Sequence, residues 1–173
     1  MQKTLDSQSS ENRELRNRMH DLCRQYNRAP SKGHFKKLKQ AFHSCGEDVF
    51  IEHGFNCDYG NRISLGDRVF LNFNCTLLDG GKISIGDDVL IAPNVQILTV
   101  NHPLPSQERL KKTNLVQDVI VGNNVWIGAG AIILPGVVVG NDVVLGAGSV
   151  VTKDLDDGCL YVGNPAKKVR ESL

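Results

Sequence analysis

From Val121 to Val151 every sixth residue is aliphatic: Val121, Ile127, Ile133, Val139, Leu145 and Val151. The same beat runs through Leu65, Leu71 and Leu77, and again through Ile85, Ile91 and Ile97. A period of six matches neither an α-helix nor a simple alternating strand. It matches a chain that turns a corner every six residues and points one aliphatic side chain inward on each flat side. Three sides make one coil, and stacked coils make a prism. The position after each aliphatic is usually tiny: Gly66, Gly86, Ala92, Gly122, Gly128, Gly140 and Gly146. A corner needs unusual dihedrals or close backbone approach, and glycine permits both. Four positions after the aliphatic stands a small or β-branched residue, such as Val69, Cys75, Val125, Ala131 or Ser149. That position points inward near a corner, where a large side chain would not fit. Asp67, Arg68, Asp87, Asp88, Asn123, Asn124, Asn141 and Asp142 fall between, as turn residues on the outside. An antiparallel sandwich fits less well, because its strands alternate with period two and vary in length.

The flanks read differently. Residues 1–8 are polar and are expected to fray. Residues 9–27 predict an amphipathic helix with Leu15, Met19, Leu22 and Tyr26 on one stripe. Pro30 breaks it, Ser31 can cap a second helix through about Ser44, and Gly46 stops that one. These helices would cover the first, otherwise open, coil, as the ends of repeat proteins require. Coils then run from about Val49 to Leu98. The beat slips by two residues at Asp79-Gly80-Gly81, which an insertion at one corner would explain. It vanishes from Thr99 to Asp118 and returns in phase at Val121. Residues 99–118 therefore read as a loop thrown out from the prism, without structure of its own, holding Pro103, Pro105 and the basic stretch Arg109 to Lys112. Long loops of that kind are usually functional. The division expected is a helical cap at 1–46 and a β-helix domain at 47–173, the latter with the loop at 99–118 and a tail at 155–173.

Composition narrows the class. In 173 residues aromatics are only 6%, so thin stacked coils must be filled by small aliphatics. A net charge of +1 gives no electrostatic case for nucleic acid. The charge is uneven: residues 1–45 carry ten Lys/Arg against four Asp/Glu, which reads as a solvated helix surface or a basic face for an anion. Five cysteines without a C-x-x-C pattern, two of them in or near the coils, suit a reducing cytoplasm. No apolar run approaches membrane-spanning length, and the N-terminus has no signal-peptide core.

Histidine is the main candidate for chemistry. His20, His34 and His43 lie in the helical region, where surface or packing roles are the default, and His53 lies in the first coil. His102 opens the ejected loop in Asn101-His102-Pro103, and the proline stiffens the backbone beside it. A histidine at the base of such a loop, on a rigid scaffold, is a candidate general base. A zinc site would need about three ligands at matched heights, and nothing is spaced to join His53 and His102, so no metal is expected. No G-x-x-x-x-G-K-[ST] or G-x-S-x-G occurs.

Several longer motifs then align. They are Asn124-Val125-Trp126-Ile127-Gly128-Ala129-Gly130, Leu134-Pro135-Gly136-Val137, Gly146 through Asp154, and Gly163-Asn164-Pro165-Ala166. Together they resemble the hexapeptide-repeat acyltransferases. Cys57-Asp58-Tyr59-Gly60, Asn72-Phe73-Asn74-Cys75, Ala92-Pro93-Asn94-Val95 and Asn101-His102-Pro103 narrow the resemblance to the maltose/galactoside O-acetyltransferase branch. The resemblance implies a mainly β fold, a left-handed parallel β-helix, whose hand departs from the right-handed crossover rule. It implies a homotrimer with active sites between neighbouring prisms, acetyl-CoA lying along the groove, and direct acetyl transfer to a sugar hydroxyl.

On this reading His102 is the catalytic base. Asn72 and the backbone N–H of Ala129 stabilise the oxyanion. Asp58, Asn72 and Asp6 contact the acceptor. Ala92, Trp126, Ala129, Ala147, Thr152 and Lys153 line the CoA groove, and Lys167 and Arg170 meet its phosphates. Two departures bear on the acceptor. Galactoside enzymes carry a second aspartate where this chain has Gly80, and the stretch Leu104 to Gln117 differs from the sugar enzymes. An antibiotic, another polyol or an amino-sugar nitrogen is the alternative acceptor, and a non-catalytic β-helix binding module is the alternative class.

Overall fold

The computed structural model describes residues 2–171. Short parallel strands stack into three flat faces. The first face is five-stranded and holds 44–45, 63–65, 83–85, 119–121 and 138–139 in spatial succession. The second holds 50–51, 70–71, 90–91, 126–127, 144–145 and 159–162, and residues 167–171 close it antiparallel. The third is five-stranded, with 56–57, 76–78, 96–98, 132–133 and 150–151. Each inward residue pairs in register with its equivalent one coil away, as in Ile51↔Leu71, Leu71↔Ile91, Ile91↔Ile127 and Ile127↔Leu145. Parallel pairing between successive coils on all three faces excludes the sandwich. The aliphatics of the six-residue beat are all buried, as are the small residues four positions later, Val69, Cys75, Val125, Ala131 and Ser149 among them.

The corners differ in chemistry. Between the first and second faces runs an acidic corner (46–48, 66–68, 86–88, 122–124, 140–142). Here one side-chain oxygen per coil accepts the backbone N–H of the equivalent residue in the coil before, in the series Glu47 to Asp67, Asp67 to Asp87, Asp87 to Asn123, Asn123 to Asn141 and Asn141 to Asp157. Between the second and third faces runs a corner of small residues (52–54, 72–74, 92–94, 128–130, 146–148). It is held by the bonds Asn74 N–H to His53 O, Asn94 N–H to Phe73 O, Gly130 N–H to Pro93 O and Gly148 N–H to Ala129 O. Between the third and first faces lies the inserted corner.

All the breaks in the beat fall on that one corner. The rungs of the acidic ladder are 20, 20, 36, 18 and 16 residues apart. The slip at Asp79-Gly80-Gly81 has a twin one coil earlier, at 58–62, which the sequence pattern missed. The ejected loop leaves from the same corner. It is not structureless: Val100–Asn101 and Asn114–Val116 form an antiparallel pair, with a short helix at Ser106–Arg109 between them. Nor do residues 1–8 all fray. Lys3–Leu5 adds a third antiparallel strand on Asn114–Val116, which satisfies backbone groups that polar composition alone left unassigned. Met1 lies outside the described residues.

Helix α1 (Ser10–Arg28) and helix α2 (Lys32–Gln40) cover the first coil. Ser9 and Ser31 cap them by accepting the N–H of Asn12 and His34. The second helix ends before Ser44, because Ser44–Cys45 is already a strand paired with Ser64–Leu65, so the prism begins ahead of residue 47. At the far end Leu155 bridges Val139 and Cys159–Val162 adds a strand, so the stack continues into the segment read as a tail. Cys45, Cys57 and Cys159 lie in strands of the stack and Cys75 adjoins one, more than the two expected there, and all five cysteines are free thiols. Cys75 directly precedes the strand Thr76–Leu78 and is fully buried.

Candidate active site

Helix α1 is registered on the first coil by three residues three or four apart. Asn27 clamps the coil twice, donating to Phe55 O at 2.9 Å and accepting from Gly54 N–H at 2.8 Å. Cys23 Sγ lies 4.0 Å from Cys57 Sγ. His20 Nε2 lies 3.2 Å from Asp58 Oδ1. Asp58 is thereby fixed at the inserted corner, beside a cavity of about 300 Å³ lined by His20, Arg24, Asn56, Cys57, Asp58 and Leu78. From below, the backbone N–H groups of Asp58 and Tyr59 both donate to Asp79 Oδ1 at 2.9 Å. Asp79 is fully buried, and its second oxygen, Oδ2, has no partner among the described residues. Burial raises its carboxyl above the usual carboxylate value, against the downward pull of the two N–H donors.

His102 sits on the same corner, exposed, directly after the strand Val100–Asn101. Arg109 braces the loop by donating to Pro103 O at 3.2 Å and to Leu104 O. Asp6 is drawn to the same side. Its backbone oxygen accepts from Asn12 Nδ2, and Asn12 Oδ1 accepts from Arg62, which also donates to Gly80 O. Thr152 and Lys153 stand exposed further along this corner.

The small-residue corner holds a different set. Asn72 and Ala92 stand there in register with Gly128 and Gly146, and Ala129 and Ala147 stack at the next position, level with Phe73 and Pro93. Asn72 Oδ1 accepts its neighbour Phe73 N–H at 2.8 Å, which turns the amide nitrogen away from the backbone. The N–H groups of Ala129 and Ala147 have no acceptor among the described residues, and both alanines are exposed. Trp126 lies on the outer side of the second face, in a row with Phe50, Phe70, Leu90, Val144 and Leu160. Lys167 and Arg170 are exposed on the closing strand beyond the last coil. A single chain therefore divides the expected site between two corners of the prism. His102, Asp58, Asp6, Thr152 and Lys153 are on one, and Asn72, Ala92, Ala129 and Ala147 are on the other.

The family described as bacterial transferase hexapeptide (six repeats) matches residues 118–153. A maltose O-acetyltransferase from Clostridium difficile 630 superposes with a TM-score of 0.95 at 38% identity, covering 99% of this chain and 93% of that one. The chain belongs to the hexapeptide-repeat acyltransferases, in their maltose and galactoside O-acetyltransferase branch. A galactoside acetyltransferase in complex with coenzyme A gives a TM-score of 0.93 at 35% identity, over 98% of this chain and 86% of that one. A hexapeptide-repeat acetyltransferase from Vibrio cholerae O1 biovar eltor, complexed with acetyl coenzyme A, gives 0.92 at 32% identity, over 98% of this chain and 93% of that one. The hexapeptide repeats of this acyltransferase fit a left-handed β-helix.

Two residues that pack against Asp58 escaped the sequence reading. His20 read as a helix-surface residue, because nothing in a helical stripe reports which coil residue it meets. Asp79 marked the slip in the beat and matched an aspartate of the galactoside enzymes, but nothing in the sequence reported its burial or its bonds to the Asp58 and Tyr59 N–H groups. Among the described residues no group of three or more His, Cys, Asp and Glu is placed to hold a metal ion, and no helix is long and apolar enough to cross a membrane.

Proposed function

We propose that the protein transfers acetyl from acetyl-CoA to a hydroxyl of a sugar or sugar-like acceptor. The observation that carries the reading is the small-residue corner, where Ala92, Gly128 and Gly146 stack, Ala129 and Ala147 stack beside them, and Ala129 leaves its N–H without an acceptor. Small side chains let a pantetheine arm lie against the backbone. A free N–H on a rigid corner is the kind of donor that a developing oxyanion needs, because it is already oriented when charge appears. His102 takes the acceptor's hydroxyl proton as that oxygen attacks the thioester carbonyl. The Ala129 N–H and the Asn72 amide face the oxyanion, and the thiol of CoA leaves with a proton returned through His102. Asp58 and Asp6 accept hydroxyl hydrogens of the acceptor. Thr152 and Lys153 flank the CoA arm, Trp126 packs against it, and Lys167 and Arg170 pair with its phosphates as point charge and fork.

The split of these residues between two corners calls for more than one copy. In the reading favoured here, a homotrimer sets the His102 corner of one prism against the alanine corner of the next. Exposed apolar side chains support it: Leu104 is 89% exposed and Leu110 72% on the loop, and Trp126 55% and Leu90 51% on the second face. Patches of that kind on a soluble surface mark contacts with a partner. Free thiols at all five cysteines suit the cytoplasm. The test is turnover of acetyl-CoA with maltose, methyl β-galactoside and glucosamine, read by thiol release and by mass of the product. An O-acetylated sugar is the expected product. N-acetylglucosamine alone would transfer the assignment to amino sugars, and no acetylated product with any of the three would overturn it.

A further inference from the structure

The family resemblance gives His20 no role, yet its position is not accidental. Helix α1 meets the first coil in reverse order: Asn27 on Phe55, Cys23 on Cys57, His20 on Asp58. The first contact is a double hydrogen bond and the second a buried thiol pair, so the helix cannot rotate without losing both. That register leaves the His20 ring 3.2 Å from one carboxylate oxygen of Asp58, with both side chains partly shielded at 40% and 26% exposure. The other Asp58 oxygen has no partner among the described residues. The Asp58 backbone is held separately, by the buried Asp79.

We infer that His20 is a positioning residue of the acceptor site, which orients Asp58 so that its free oxygen accepts a sugar hydroxyl. The inference rests on the acetyl-transfer reading above, with Asp58 on the acceptor. Its physical content is specific. A carboxylate on a two-torsion side chain at a corner has several rotamers, and binding a hydroxyl requires one. A donor fixed on a helix selects that rotamer before the acceptor arrives. Either tautomer that carries hydrogen on Nε2, neutral or protonated, makes the bond. The ligand class follows from the pair. One oxygen is occupied by the imidazole and one is free, beside a cavity of about 300 Å³, and this suits a neutral ring with a hydroxyl to donate.

The experiment compares His20→Ala, His20→Gln, Asp58→Ala and the double variant His20→Ala/Asp58→Ala, using maltose, methyl β-galactoside and glucosamine as acceptors. In His20→Ala the acceptor KM is expected to rise about tenfold, while kcat and the acetyl-CoA KM stay within about twofold, because one hydrogen bond to a charged group is lost. Gln, whose amide nitrogen can take the Nε2 position, is expected to restore the KM. Adding His20→Ala to Asp58→Ala is expected to change nothing further. An unchanged acceptor KM in His20→Ala, additive effects in the double variant, or an equal fall in kcat and loss of acetyl-CoA affinity would overturn the inference. If the wild type acetylates none of the three, the acetyl-transfer reading has failed. The His20 contact is then decided alone by ¹⁵N NMR of the ring. A protonated Nε2 whose shift moves in Asp58→Ala supports the contact, and an unmoved shift removes it.

Discussion

The backbone N–H of Asp67 donates to Oδ1 of Asp87, 2.8 Å away in the next coil. The same bond recurs from Glu47 to Asp157, so one corner of the prism is stitched by side chains as well as by strands. It works only because the residue before each donor is glycine. At Gly66 an added Cβ would lie 2.3 Å from Asp87 Oδ1 and 2.6 Å from the Gly86 carbonyl carbon.

Gly66→Ala is therefore expected to destabilise the fold by about 1–3 kcal/mol, since backbone must move to admit the methyl group. Gly148→Ala is the control of different cause. Nothing lies within 4 Å of its added Cβ, but its φ is +67°, and left-handed strain costs about 1–2 kcal/mol. Urea denaturation of both variants measures the difference.

His102→Ala is expected to lower kcat by about 10²–10⁴-fold, the usual contribution of a positioned acid–base group. Because His102 is exposed and a face of strands separates it from the alanine corner, CoA affinity by calorimetry should be unchanged. Turnover retained in the purified variant would remove His102 from the mechanism.

Asn72→Asp separates the two ends of one side chain. Its Oδ1 can still accept the Phe73 N–H, but the amide donor is replaced by an oxygen. If that donor faces the oxyanion, kcat falls by about 10²–10³-fold with melting temperature little changed. A variant with wild-type kcat would show that the amide does not face the reaction.

Asp79 makes stability depend on pH. Burial raises its carboxyl in the folded protein, so the native state holds this proton more tightly than the unfolded chain does. Its contribution is fully present below the unfolded carboxylate value and is lost as pH rises through the raised folded value. Asp79→Asn keeps an oxygen for the Asp58 and Tyr59 N–H groups and does not titrate. Its unfolding midpoint should fall less than that of the wild type as pH climbs from the acid range. Parallel curves would show that Asp79 carries no such linkage.

Sedimentation equilibrium is expected to give the mass of three chains. Replacing Leu104 and Leu110 by Ser should weaken association and activity together, because both leucines are exposed in the single chain. A stable, active monomer would contradict an inter-subunit site.

The six-residue beat made most of the coil legible, because each inward position takes one aliphatic and each tight corner takes a glycine or an alanine. The first coil was harder to read. Cys57 stands in an inward position there, and the extra residues at 58–62 shift the frame before it is established. The N-terminal strand was illegible for another reason. Lys3–Leu5 has no pattern of its own and is ordered only by Asn114–Val116, more than a hundred residues away in sequence.

The sequence by itself determined the prism, its inward rows and the motifs of the family, because these depend on short-range periodicity and on residue size at each corner. Only the tertiary structure decided what shares a corner. The slips at 58–62 and 79–82 and the ejected loop fall on one edge because coils of unequal length still stack in register. His20 reaches Asp58 because Asn27 and Cys23 fix the helix against the first coil. His102 and Ala129 occupy different corners of one chain because a flat face of strands separates them. Periodicity reports which way a side chain points, whereas the partner it meets depends on how distant segments pack.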